Sequence, residues 1–388
     1  MSHDFLAKRV VSDFSSTFRK YPRIDEFGLI YCLEPTINKS PVKVEGTKLG
    51  VETWCMKFVL PFIHRELLLQ RRGKDEAILQ QYSKVALLLS PECSTFWNIR
   101  KELLLRKQVS VISELKFTNI ILTCHPKSPE TFVHKRWILN HCCVSSTQDG
   151  CNDSNQNRFI NSDHQLQTLI HSEIEGSRMA ASRYPSNYNA WSHMIWTVKV
   201  LAGSSTEVLL SELSDTRHWV REHVSDHSGC HYRQFLLSQL GPENTLTEAL
   251  GEEFRFVEEL MVSYPGHEAL WNHRRALYHL AVQRNKESSD HKSRGASDEG
   301  KPKMAKLQDT LSEYGGSTCC ITPGGCQVHQ QQLCVVDGTS QISLSALACL
   351  SLEKQRVHSI VRDTFSADQK IQEVCCKRYL EWLERFQT

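Results

Sequence analysis

The segment Arg183-Tyr184-Pro185-Ser186-Asn187-Tyr188-Asn189-Ala190-Trp191-Ser192-His193-Met194-Ile195-Trp196 joins a proline, a short polar turn, and a Trp and a His two residues apart at the start of an apolar helix. The same order recurs. With the ring at position zero and the proline at minus six, five copies align: Pro91 with Trp97, Pro126 with Phe132, Pro185 with Trp191, Val224 with Cys230, and Pro265 with Trp271. Two places after the ring stand Ile99, His134, His193, Tyr232 and His273, and one place further Arg100, Lys135, Met194, Arg233 and Arg274. Five copies of one punctuation mark define a repeat protein.

The mark has a mechanical meaning. In Ser128-Pro129-Glu130 the serine suits an N-cap, the proline the first helical position, and the acid the first turn, where the helix dipole favours it. Upstream, Ile78, Tyr82, Val85 and Leu89 keep three-and-four spacing before Pro91, as do Phe254, Val257 and Met261 before Pro265. Each unit therefore reads helix, tight turn, helix, with the ring (Trp97, Phe132, Trp191, Trp271) filling the gap between the two helices. The proline slots lie 35, 59, 39 and 41 residues apart, which suits an array of hairpins with one insertion. A single hairpin cannot bury its own faces, so the expected fold is all-α, a superhelical array of stacked hairpins of the α-α solenoid type.

A repeat array spends the 388 residues as one extended body. The formal net charge of +2 gives no electrostatic argument for nucleic acid or an anionic membrane. No apolar run approaches the ~20 residues of a membrane span, and Met1-Ser2-His3-Asp4 opens no apolar signal segment. The fifteen cysteines are then expected as small core hydrophobes of a reduced, cytoplasmic protein rather than as disulfides.

In chain order, residues 1–50 form an N-terminal helix (about 3–19: Phe5, Val10, Phe14, Phe18) and an ordered irregular arm from Tyr21 to Lys48. Residues 51–284 carry the repeats, opened by a helix over Val51–Leu69, with hairpins at 74–106, 111–143, 165–201, 204–240 and 245–284. Residues 144–163 are a polar insertion. Gly203 marks a helix stop, and Ser204-Ser205-Thr206-Glu207 has capping-box spacing. Residues 285–338 lose all periodicity and read as a disordered insertion, and 339–388 as a closing helical hairpin or cap.

Groups that carry chemistry are few. Cys319, Cys320, Cys326, His329 and Cys334 match no common C-x2-C pairing, so they read as low-complexity text before they read as a metal site. His134, His193 and His273 recur one turn into a helix; between a ligand role and packing against the neighbouring hairpin, recurrence favours packing. Cys230 stands in a ring slot, which argues core rather than nucleophile. No Ser/His/Asp set, phosphate loop or carboxylate pair stands out, so the chain does not read as a complete enzyme.

The mark Pro-x-Asn-Tyr-x-x-Trp-x-His, as in Pro185, Asn187, Tyr188, Trp191 and His193, resembles the repeat of protein prenyltransferase alpha subunits, the helical halves of farnesyl- and geranylgeranyltransferases. Pro126–Phe132 and Tyr264–Trp271 look like further copies, and Ile24–Ile30, Lys48–Cys55 and His223–Gly229 closely resemble segments of one member. The resemblance covers about residues 4–284 and the last helix, and fails over 144–163 and 285–338. It implies a crescent of hairpins around a separate beta subunit, of the Rab geranylgeranyltransferase type, which holds the catalytic zinc and the isoprenoid pocket. It further implies an isoprenyl diphosphate and a protein substrate with a reactive cysteine. The alpha subunit supplies a lysine to the diphosphate, and Lys127 in Pro126-Lys127-Ser128 matches it, with Tyr188 and Asn189 near the same group. Pro129 departs from the family's tyrosine, and Asn189 stands where farnesyltransferase has a histidine. By residue type alone Lys127 is a solvated turn lysine. The alternative function is a non-catalytic repeat scaffold that binds proteins on a concave face; the Trp-Leu-Gly-Tyr pattern of tetratricopeptide repeats is absent.

Overall fold

In a computed structural model that describes residues 3–34, 40–71, 73–141, 163–241, 243–294, 343–364 and 369–387, the chain divides into two units, Met1–Val208 and Leu209–Thr388. The division falls inside the stretch expected as one continuous array.

The first unit opens with the amphipathic helix α1 (His3–Lys20), which buries Ala7, Val10, Val11 and Phe14. Three short strands follow, β1 (Glu26–Ile30), β2 (Val42–Glu45) and β3 (Lys48–Glu52), in the order β1-β3-β2. β1 runs parallel to β3 with Gly28 opposite Gly50, and β2 antiparallel to it. This sheet replaces the irregular arm, and it shortens the helix expected over Val51–Leu69. The chain leaves β3, makes a 3-10 turn at Thr53–Cys55, and becomes helical only in α2 (Met56–His64), with a π turn at Arg65–Leu69. Three hairpins complete the unit: α3 (Glu76–Leu89) with α4 (Ser94–Leu105), α5 (Val111–Cys124) with α6 (Pro129–Leu139), and α7 (Asp163–Arg183) with α8 (Tyr188–Trp196).

The second unit holds α9 (Thr206–Glu222, whose first turn straddles the division) with α10 (His227–Gln239), and α11 (Glu243–Ser263) with α12 (Glu268–Arg294). A short α13 (Leu344–Leu347) leads to a closing hairpin of α14 (Leu350–Asp363) and α15 (Gln369–Gln387). Within each unit the layers repeat: α5 packs on α7 and α11 on α14, while α4, α6 and α8 form one row and α10, α12 and α15 another. The architecture is thus an all-α solenoid of hairpins carrying one small sheet.

Helix starts obey the sequence. Ser128 accepts the amide of Thr131 with Pro129 in the first turn, Asn187 accepts that of Ala190, and Asp226 that of Gly229. At α9 the cap moves by one: Ser205 Oγ, not Ser204, accepts an amide, that of Val208, because Gly203 and Ser204 both take positive φ. The residue after the proline slot also turns left-handed at Ser186 (φ 51°) and Gly266 (φ 81°). A Cβ on Gly266 would lie 2.4 Å from Ile371 Cγ2, so glycine serves both the turn and the close approach of α15. Helix α12 continues through 285–294, ten residues into the stretch read as disordered. The expectations for 144–162, for 295–338 and for Cys319–Cys334 lie outside the described residues. No described helix is long and apolar enough to cross a membrane.

Candidate functional site

The ring slots lie in the core. Trp97, Phe132, Trp191 and Trp271 are all buried, as is Cys230, whose thiol burial pushes up to about 12, far from a nucleophile's range. Trp97 closes its own turn by donating Nε1–H to Pro91 O at 2.6 Å.

The three histidines share one partner type. His134 Nε2 lies 3.0 Å from Glu114, His193 Nε2 3.0 Å from Glu173, and His273 Nε2 2.8 Å from Glu253. Each carboxylate stands 20 residues earlier, on the first helix of the same hairpin. The Tyr232 hydroxyl donates to Glu212 at the same spacing (2.8 Å), and the Tyr379 hydroxyl to Glu353 in the closing hairpin (2.7 Å). The rings also lie against the preceding hairpin, His134 on Trp97, His193 on Phe132 and Tyr379 on Trp271, with centroids 4.4, 5.5 and 5.5 Å apart.

A cation of the preceding hairpin, from the slot three places after the ring, completes the pattern. Arg100 meets Glu114, Lys135 meets Glu173 at 3.2 Å, Arg233 meets Glu253, and Arg274 meets Glu353 at 2.7 Å; Met194 stands in that slot before Glu212. Burial alone would raise the Glu114 carboxyl, but Arg100 and the His134 hydrogen bond together hold the group at about 2; Arg233 and His273 do the same for Glu253. Burial depresses His134 and His193 below the ordinary imidazole value, so both donate Nε2–H to the carboxylate as neutral rings. Glu114 and Glu173 thus each carry one full countercharge and one neutral donor. These contacts join hairpins and commit Nε2 of each histidine to a carboxylate rather than to a ligand. The glutamates are the feature the sequence reading passed over, although Glu114, Glu173, Glu212 and Glu253 all lie eighteen places before the ring slot.

The second constellation lies at the turns. A cleft of about 510 Å³ is lined by Glu92, His125, Pro126, Lys127, Ser128, Pro129, Tyr184 and Asn189. Three turns meet in it. His125 Nε2–H donates to Leu88 O (2.9 Å), Asn187 Nδ2 to Pro126 O (2.6 Å), and Asn189 Nδ2 to Lys127 O (3.0 Å). Lys127 is exposed at the start of α6, its ammonium 3.4 Å from the Tyr184 hydroxyl and 4.6 Å from the ring centroid. Lys127 and Asn189 therefore share the cleft. Tyr188, at the first position of α8 and 69% exposed, is not among its lining residues. Among the described residues no group of three His, Cys, Asp or Glu is arranged to hold a metal ion.

The protein prenyltransferase alpha subunit repeat matches this chain at residues 112–142, 170–201, 209–240 and 250–281, which are the four central hairpins. Protein prenyltransferase alpha subunit repeat-containing protein 1 of Homo sapiens is 42% identical over 315 residues, covering 71% of this chain and 78% of that protein. The chain belongs to that family. The Xenopus laevis protein 1-B is 37% identical over 362 residues, covering 80% of this chain and 82% of its own length. The geranylgeranyl transferase type-2 subunit alpha of Sus scrofa is more distant, 26% identical over 219 residues that span 52% of this chain and 34% of that subunit. Hairpins α3–α4 and α14–α15 lie outside the matched repeats, yet they stack as the others do, and Glu353 with Tyr379 repeats their polar contact.

Proposed function

We propose that this chain is the alpha subunit of a heterodimeric protein prenyltransferase, acting with a beta subunit of the Rab geranylgeranyltransferase type to transfer a geranylgeranyl group from its diphosphate to a cysteine of a protein substrate. The observation that carries the reading is Lys127 at the mouth of the 510 Å³ cleft, at the N-terminus of an α6 whose cap is formed by Ser128. A lysine beside the positive end of a helix dipole suits the charge that grows on diphosphate as its carbon–oxygen bond breaks. Asn189 fixes the Lys127 carbonyl, and His125 and Asn187 hold the rest of the turn, so the lysine rises from a rigid base. Zinc would be the partner's, where it would hold the acceptor cysteine as a thiolate; no step on this chain runs through it.

A scaffold without transferase activity is the second reading. Pro129 replaces the tyrosine of the family turn, and the similar proteins of high coverage are named for their repeat rather than for a reaction. Co-expression with candidate beta subunits, purification of the complex and transfer of labelled isoprenoid to protein acceptors test the choice. Stable pairing with transfer supports the enzyme; stable pairing with no transfer to any acceptor supports the scaffold.

A further inference from the structure

An exposed turn lysine ordinarily samples many rotamers, and ordering it costs conformational entropy. Lys127 is instead met by an aromatic face: its ammonium lies 4.6 Å from the Tyr184 centroid, with the hydroxyl 3.4 Å away. Tyr184 is itself anchored on both sides. Before it, Arg183 donates from one terminal nitrogen to Thr123 O and from the other to Glu26 Oε1, both at 2.9 Å. Thr123 lies in the last turn of α5, two residues ahead of His125, and its hydroxyl accepts the amide of Phe27 in β1 at 2.8 Å. After it, Asn187 and Asn189 bind the carbonyls of Pro126 and Lys127. The backbones that carry ring and ammonium are thus tied directly at three points, and β1 adds a fourth link through Glu26 and Phe27.

We infer that Tyr184 is a positioning residue that holds the Lys127 ammonium at the mouth of the cleft, with Arg183 and the Glu26 carboxylate of β1 setting where the ring stands. The inference rests on the reading of the cleft as a diphosphate site. The ring face attracts the cation through its quadrupole and the hydroxyl takes one long N–H contact, so the ammonium is held and still has two N–H donors for an oxyanion. The strands then have a use that the repeat alone does not supply, since β1 closes its outer edge on the end of α5 that leads into the Lys127 turn.

Two measurements on the full chain decide this. In the first, lysines are reductively methylated with 13C-formaldehyde and the Lys127 resonance is assigned with Lys127→Arg. A ring-current shift is expected in the parent and in Tyr184→Phe, and its loss in Tyr184→Leu; a resonance unmoved by Tyr184→Leu overturns the inference whatever the protein's activity. In the second, single-turnover transfer is measured in the heterodimer. Tyr184→Leu should slow it by roughly 10-fold, between the values of an exposed and a desolvated cation–π contact, and Tyr184→Phe should recover most of the loss. Added to Lys127→Ala, Tyr184→Leu should cost nothing further, because it acts only through the lysine. An additive double variant contradicts the inference. If Lys127→Ala leaves transfer unchanged, the diphosphate reading falls, while the methyl resonance still decides whether Tyr184 holds the lysine.

Discussion

Glu114 shows what a single side chain contributes in this repeat. Its fully buried carboxylate receives the Arg100 guanidinium from one hairpin and His134 Nε2–H from its own. Glu114→Ala strands a buried cation, which costs about 3–5 kcal/mol when one partner of a buried pair is removed. The expected outcome in denaturant unfolding is a loss of that size. The double variant Arg100→Met with Glu114→Leu should recover much of it, because neither partner then remains unpaired. A single variant with parent stability would show that the pair does not hold the hairpins. The sequence marked His134, His193 and His273 as repeat positions but could not show their partners. A glutamate inside an amphipathic helix looks the same whether it faces water or a guanidinium from another hairpin, and only stacking separates the two.

The hairpins themselves were legible because their signals are local. Ser128 and Pro129 start α6, Asn187 starts α8, and the ring spacing places each partner helix. The sheet was not legible. β1 and β3 are five residues each, carry Gly28 and Gly50 at the paired position, and depend on a direct parallel pairing of strands that β2 separates in sequence and on Thr123 nearly a hundred residues away. None of these is a short-range pattern. The buried carboxylates also set how the helices respond to acid. Glu114 and Glu253 sit at about 2 against an ordinary 4.5, so between those values the unfolded chain binds protons that the folded one refuses. Their contribution is complete above 4.5 and is lost as pH falls toward 2. His134 and His193, depressed from 6.5 by burial, add an earlier loss, because the unfolded chain protonates them first as pH drops below 6.5. Thermal unfolding should therefore show Tm falling in two stages, below 6.5 and again below 4.5. A Tm constant from pH 7 to 3 would contradict the arrangement.

As a whole molecule, the chain on the proposed function contributes a lysine and a cleft and works together with a beta subunit. Obligate interfaces of this kind bury ~2,000 Å² or more. Expressed alone, the chain should self-associate, and co-expression with its beta subunit should give a 1:1 complex with a higher Tm; a monodisperse monomer indifferent to the partner would count against obligate pairing. The central claim meets its most direct test in the single-turnover rate of isoprenoid transfer by the heterodimer carrying Lys127→Ala. Because the lysine acts on charge that appears as the bond to diphosphate breaks, its removal belongs to the transition state. The rate should fall by roughly 10²-fold, as for loss of one preorganised donor to a developing anion, with pairing and Tm unchanged. An unaltered rate would mean that Lys127 is a solvated turn lysine and that the chain only scaffolds its partner.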